Sequence, residues 1–513
     1  MIRVRQVKLA VDDKKIKKSL AKKLKIKESD IKSFKINKQS IDARKDKIYY
    51  VYEVDLETEY ENKLLKNNDV VLTPDEKYKY QITGLKKIPS RPVIIGSGPA
   101  GLFLGYFLAL NNYQPIIIER GEDISKRVKT VNDFWENNNL NINSNVQFGL
   151  GGAGTFSDGK LNTQVKDKRI KEILRIFNLF GADENILYKY NPHIGTDVLR
   201  KVVNNMKNEI IKLGGEFYFN TCLNDLVIEN NIIKKIKIND EYLECDNLFL
   251  AIGNSARDTF KMLNKYLKME AKPFAVGLRI QHLQSLIDKR QYNNVLTKAS
   301  YKLTYTTSKK RGVYSFCMCP GGYVVNASSE NKKLVVNGMS NQARDTLNAN
   351  SAIVVTVFPK DFKDDILSGM EFQRQIEAKA YEIGNGLIPV QLFKDYLNNT
   401  ESKKFGSILP VMKGKYTFAN LNQIFPNYIN EALKEGILNF NKKINGFSRD
   451  DAILAGVEAR TSSPIRILRD ENYLSNIKGI YPLGEGSGYS GGITTSALDG
   501  LKVFEAFIKE YHS

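Results

Sequence analysis

Apolar and polar positions change rhythm three times along the chain. In residues 1–88 single apolar residues alternate with charged ones, which predicts a strand near Ile2–Leu9, a lysine-rich helix near Asp13–Leu24, a helix start at Glu28-Ser29-Asp30 and a strand at Ile48–Val54. This is a small α/β unit, for which a ferredoxin-like arrangement is expected. The linker Lys86–Pro92 ends it, and the uncharged run Pro92–Leu110 follows. That run is nearly long enough to span a bilayer, but its glycines and prolines fall where a strand turns into a helix, so it reads as a buried element and not a membrane span. Strand, glycine turn, helix and strand then succeed one another to about 257, with a further helix at Asp197–Leu213. Residues 258–445 lose that rhythm. They mix expected strands at Phe274–Ile280, Val313–Phe316, Tyr323–Asn326 and Ile353–Phe358 with a helix near Glu371–Gly384. From 446 the strand, glycine turn and helix return.

The expected organisation is therefore a basic N-terminal unit (1–88), an α/β domain in two pieces (89–257 and 446–513) and an inserted α+β substrate or cap domain (258–445). A chain of 513 residues is long enough for two or three cores and for burying a large cofactor. The net charge of +20 is uneven: residues 1–50 hold 17 Lys and Arg against 6 Asp and Glu. Such a surplus suits nucleic acid or an anionic surface, and equally a solvated face on a basic protein. Four cysteines make no disulfide scaffold and no zinc spacing, so a reducing cytoplasm and no metal are expected. Met1–Lys15 has no apolar core of the kind a signal peptide needs.

Chemistry enters at Gly96-Ser97-Gly98-Pro99-Ala100-Gly101, which fits G-x-G-x-x-G between the strand Val93–Ile95 and the apolar helix Leu102–Leu110. The first glycine allows the tight turn, the second lets a pyrophosphate approach, and the third, with Gly105, lets helix and strand pack closely. The helix N-terminus then faces the anion. A second strand, Pro115–Ile118, ends in Glu119, 18 residues beyond Gly101, where an acid should accept ribose hydroxyls. Gly149–Gly154 and Gly486–Gly491 also match the pattern. The former precedes neither a helix nor a strand ending in an acid, so it is no second fingerprint.

The far end of the chain decides which dinucleotide. Gly479-Ile480-Tyr481-Pro482-Leu483-Gly484-Glu485 through Gly491-Gly492-Ile493-Thr494 resembles the second FAD signature of glutathione-reductase-like flavoproteins, with Glu485 where Asp is commoner. The resemblance implies a Rossmann-type FAD-binding domain and a helix aimed at the flavin pyrimidine, where its dipole would stabilise charge on reduction. Leu248–Gly253, with Ala251 and Gly253, resembles the returning strand and turn of such proteins. Gly195–Leu199 through Asn220–Leu223 resembles the element placing a backbone contact on adenine, here Leu223. Arg120, Arg127 and Gly152 complete the cofactor candidates. Val146–Leu161, Pro192–Asp197, Cys317–Gly322, Ala459–Pro464 and Ser40–Arg44 resemble a family of uncharacterised FAD-dependent dehydrogenases over nearly the whole chain.

Candidates for the reaction follow from residue type. Cys317 and Cys319 flank one methionine before a Pro-Gly-Gly turn, and could relay electrons beside a flavin or simply fill core. His193, before the expected N-cap Thr196, could serve as acid or base, or be structural. Arg460 could hold an anion or the reduced flavin, with a salt bridge to Glu458 as the competing account. The expected function is hydride transfer between bound FAD and a small-molecule substrate lying against the inserted domain. NADPH or NADH, if used, would dock transiently. The alternative is an RNA-associated flavoprotein docking through residues 1–50, without a recognised RNA-binding motif.

Overall fold

The structure, a computed structural model, describes residues 1–44, 47–362 and 365–513. At its centre five parallel strands lie in the order Ile480–Pro482, Leu248–Leu250, Val93–Ile95, Ile116–Ile118 and Glu216–Tyr218. The strands are short and fully apolar where both faces are covered, as a parallel sheet requires. The helix Pro99–Leu110 lies under Val93–Ile95, and Ile493–Phe507 packs along it. An antiparallel meander of Leu223–Glu229, Ile232–Ile238 and Glu241–Glu244 sits between the fifth and second strands in chain order. This is a Rossmann-like architecture assembled from segments far apart in the chain, because the C-terminal strand Ile480–Pro482 pairs with Leu248–Leu250, which pairs in turn with Val93–Ile95.

The second body is a seven-stranded sheet ordered Thr304–Thr306, Gly312–Cys319, Asn348–Val357, Phe274–Leu283, Ile453–Glu458, Ile388–Leu392 and Tyr416–Phe418. Its two longest partners, Phe274–Leu283 and Asn348–Val357, pair over ten residues. Ile453–Glu458 belongs here and not to the parallel sheet, so the return expected at 446 comes later. Ile465–Ile467 pairs with Met269–Ala271 at the junction, and only Ile480–Pro482 rejoins the first sheet. A short, largely apolar strand fits either sheet by pattern alone, and register decides.

The N-terminal unit runs β-α-β-β-α-β, with sheet order Ser33–Asp42, Tyr49–Glu57, Ile2–Ala10, Val70–Leu72 and a second helix of four residues, Glu61–Leu64. Its strand Ser33–Asp42 is mostly half-exposed and too polar to show a period. Lys8, Lys23 and Lys32 form ion pairs with Asp42, Asp69 and Glu59. The linker is not loose: Lys86–Lys87 pairs with Tyr511–His512. Among the described residues no helix is long and apolar enough to cross a membrane.

Phe249, fully buried in the second strand of the parallel sheet, stacks on Tyr481 with ring centroids 4.8 Å apart. Phe249→Ala should cost ~3–5 kcal/mol, read as a lower urea midpoint by circular dichroism. A midpoint unchanged from the parent would show that this stack does not hold the two chain segments together.

Candidate active site

One continuous cavity of about 910 Å³ runs from the parallel sheet to the wall of the seven-stranded sheet. It is near the upper end of the ~300–1,000 Å³ common for small-molecule sites. Two helix N-termini open into it. Pro99–Leu110 has Gly98 as its N-cap and Ile493–Phe507 has Gly492, neither with a side-chain cap, so their first N–H groups have no partner within the helix. Free N–H groups and the helix dipole together favour an anion at both places.

The glycines divide by task. A Cβ on Gly101 would collide with the Gly96 carbonyl, and one on Gly105 would sit 2.7 Å from Ile117 Cδ1. These two buy close packing between helix and sheet. By contrast, a Cβ on Gly98 would have the Gly152 Cα, 4.0 Å away, as its nearest neighbour, and one on Gly253 or Gly491 would meet nothing within 4 Å. Those positions keep space open. Pro99, Ala100, Gly152, Leu223, Ala251, Gly484 and Ile493 also line the cavity, while Gly101 lies behind it. Open glycines and two uncapped helix ends fit a dinucleotide with a charged middle and a ring system at one end.

Other expected residues fall differently. Glu119 lines the cavity, yet its carboxylate accepts from Ser97 N–H and Oγ on one oxygen and from Gly121 and Gly149 N–H on the other. All four acceptor positions are in use, so a ribose hydroxyl would have to replace Ser97 Oγ. Arg120 lines the cavity, pairs with Asp258 at 2.7 Å and covers Phe148. Arg127 is a correction. It is fully buried away from the cavity and donates to the carbonyls of Asn145, Val146, Leu150 and Gly152. Burial pushes its pKa down, and the carbonyls compensate: this arginine shapes the glycine loop that the cavity rests on.

His193 lies outside the cavity lining too. Its Nε2 meets the Gln342 carbonyl at 3.2 Å, and burial, with Arg344 nearby, lowers its pKa. Thr196 is not an N-cap: Gly195 holds that position, and Thr196 Oγ1 donates to the Thr155 carbonyl. Arg460 reaches the cavity but its guanidinium is occupied by Glu377 at 2.9 Å and Ser329 at 2.5 Å, and Glu458 is not its partner. Glu377, completely buried between Arg257 and Arg460, stays ionised because both arginines hold its pKa at about 2 against burial.

The seven-stranded sheet contributes a charged cluster. Glu458 and Cys317 line the cavity, and Arg279 stands behind them. Arg279 Nη1 donates to Glu458 at 2.8 Å and its Nη2 to the Cys317 carbonyl at 2.5 Å. Burial pushes the Glu458 carboxyl up to about 7 despite Arg279, and burial does the same to Glu485, again to about 7. Asp158, paired with Arg344, and Lys160 close the cluster from the glycine loop. Glu458 and Arg279 were legible as single charges within the otherwise apolar runs Ile453–Ala459 and Phe274–Ile280. A charge inside a buried strand needs a partner and so marks a site.

A family model described as a FAD-dependent protein, C-terminal domain-like, matches residues 273–461. A NAD(P)-binding Rossmann-like domain matches 94–162, and a domain of unknown function matches 1–57. The cavity and these matches define a FAD-dependent oxidoreductase. An uncharacterised protein of Clostridium beijerinckii is 46% identical over 527 residues, covering 99% of each chain. The chain belongs to the same family of FAD-dependent proteins. Among solved structures, L-proline dehydrogenase from P. horikoshii is 13% identical, covering 82% of this chain and 93% of its own, with a TM-score of 0.34. Glycine oxidase from Bacillus cereus is 10% identical, covering 83% and 98%, with a TM-score of 0.37.

Gly98 has φ −70°, open to any L-residue. Gly98→Ala should therefore leave the fold intact while weakening FAD at least ~10-fold, about 1.4 kcal/mol, by fluorescence titration of the apoprotein. Gly101→Ala should lower thermal stability instead. Unchanged FAD affinity in Gly98→Ala would place the pyrophosphate elsewhere.

Proposed function

We propose that this oxidoreductase transfers a hydride between FAD and a small polar substrate lying between the flavin and the seven-stranded sheet. The observation that carries the reading is the continuous cavity joining two free helix N-termini to a wall holding Glu458 and Cys317. In this reading Gly98–Gly101 and Gly152 take the pyrophosphate of FAD. Glu119, Arg120 and Leu223 face its adenosine, and Gly484, Glu485 and the Gly491–Ile493 turn face the isoalloxazine. When bound, the flavin supplies two-electron chemistry at a ring the substrate can reach.

The chain's own contribution is position and protons. Arg279 fixes one oxygen of Glu458 and leaves the other to the cavity. A carboxyl poised near neutral pH is matched to general acid or base work. Gln373 donates to the Ala459 carbonyl, and Arg257 and Arg460 clamp Glu377, so the strand end that carries Glu458 is held from the helix Ser368–Ile383. A charged, partly paired wall selects a polar substrate over an apolar one, because an apolar group there would strand buried charges.

Glu458 faces Arg279 and Cys317. With its pKa near 7 it is a proton donor below that pH and a carboxylate above. Oxidation of reduced holoprotein by a water-soluble naphthoquinone, which needs a hydride and a proton, should therefore slow as pH rises through about 7. Glu458→Gln should remove this inflection and lower the rate ~10²-fold or more, at unchanged flavin content. A profile identical to the parent's would remove Glu458 from the reaction.

A further inference from the structure

The strand Gly312–Cys319 does not run regularly to its end. Its pairing with Asn348–Val357 slips between Phe316 and Cys319, and within the slip Cys317 takes φ 43°. A non-glycine residue in that region costs ~1–2 kcal/mol, a strain worth a functional question because it falls at the cavity wall. Its effect is to turn Cys317 into the cavity while Cys319, two residues on, stays completely buried. The Cys319 thiol turns back on Cys317, donating from Sγ to the Cys317 carbonyl at 3.4 Å.

Their surroundings are built around them. Arg279, itself 0% exposed, anchors the Cys317 carbonyl and lies 4.0 Å from Cys319 Sγ. A Cβ on Gly338 would come within 2.8 Å of Cys319 Sγ, so the neighbouring strand leaves room for that sulfur. The charges facing Cys317 are Lys160 and Asp158 from the glycine loop, Arg279, Glu458 and, across the cavity, Glu485. The Cys319 thiol, with Lys160 and Arg279, favours the Cys317 thiolate, whereas Cys319 is pushed the other way and keeps its proton. At the remaining cysteines the shift runs the other way: burial raises the pKa of Cys222, which also lines the cavity, and pushes Cys245 up to about 12.

We propose that Cys317 and Cys319 are a dithiol–disulfide couple that exchanges an electron pair with the flavin of the same cavity, an inference that rests on the FAD reading above. On reduction the S–S bond takes two electrons and one proton, breaking to leave Cys317 as thiolate and Cys319 as thiol. In reverse, the S–S bond forms, and the Cys319 proton and two electrons pass to the flavin, giving its two-electron-reduced, singly protonated form. Cys317 is the exposed, exchanging sulfur and Cys319 the sealed one. A bridge between residues two apart closes a small strained ring, and strained disulfides are readily reduced. The dithiol is therefore the resting form and the disulfide the transient one.

The test uses full-length holoprotein without air. After equilibration in glutathione redox buffers, acid quench and alkylation, mass spectrometry reads the tryptic peptide 312–332, which holds both cysteines and no others. The expected oxidised peptide lacks two hydrogens and takes no label, while Cys222 and Cys245 remain labelled. Photoreducing the flavin of that oxidised protein should return both thiols as the flavin absorbance recovers. Two labelled cysteines in every buffer, or a flavin that stays reduced beside an intact bridge, overturns the proposal. Cys319→Ala, which removes the thiol donor, should slow Cys317 alkylation at pH 6 by ~10-fold. An unchanged rate would reduce Cys319 to a packing role. Failure of FAD to bind would be read separately from absorbance, and the thiol count of the apoprotein would still report on the pair.

Discussion

The site depends on how closely two helices and one strand can approach. Gly101 has no side chain because the Gly96 carbonyl occupies that space, and Gly500 has none because the Ala100 carbonyl does. With those contacts made, the helices Pro99–Leu110 and Ile493–Phe507 lie against each other, and both uncapped N-termini open on one cavity. A bulkier residue at Gly500 would push the helices apart, and one at Gly101 would push Pro99–Leu110 off the turn that follows Val93–Ile95. The parallel sheet is closed by the last segment of the chain, so the cavity exists only once the C-terminal strand Ile480–Pro482 has paired with Leu248–Leu250.

A second constraint is electrostatic. Buried charges are tolerated only with partners, and removing one member costs more than the pair contributes. Here Glu377 is shared by Arg257 from the first body and Arg460 from the segment returning to it. Arg279 is shared by Glu458, Asn337, Asn350 and the Cys317 carbonyl. The Glu377 cluster ties the helix Ser368–Ile383 of the inserted region to the cofactor domain, and the Arg279 cluster holds together the sheet wall that faces the cavity. The arrangement gives direction as well as stability, since Glu458 and Cys317 are held at the wall by a group that cannot itself move into the cavity.

What the sequence revealed and what it hid follow from range. The fingerprint Gly96–Gly101 needed only its flanking strand and helix, and the strands at 274, 313 and 323 needed only local apolar runs. Arg127 was misplaced, and the alternatives at His193 and Arg460 stayed open, because each is defined by partners elsewhere in the chain: carbonyls of residues 145–152, the Gln342 carbonyl, and Glu377. A lone arginine or histidine in a sequence carries no sign of what fills its hydrogen bonds. Glu119 shows the same limit in milder form: its place at the strand end was readable, but its four internal donors were not. The strand Ile453–Glu458 looked like the first step back to the parallel sheet because pattern cannot specify register.

The most direct measurement is the visible absorption spectrum of the purified full-length protein, with flavin released by acid and quantified against protein. The account predicts a bound-flavin spectrum with FAD and chain in equal amounts, either as isolated or after reconstitution with FAD. A protein that stays colourless after reconstitution, while folded by circular dichroism, would contradict it.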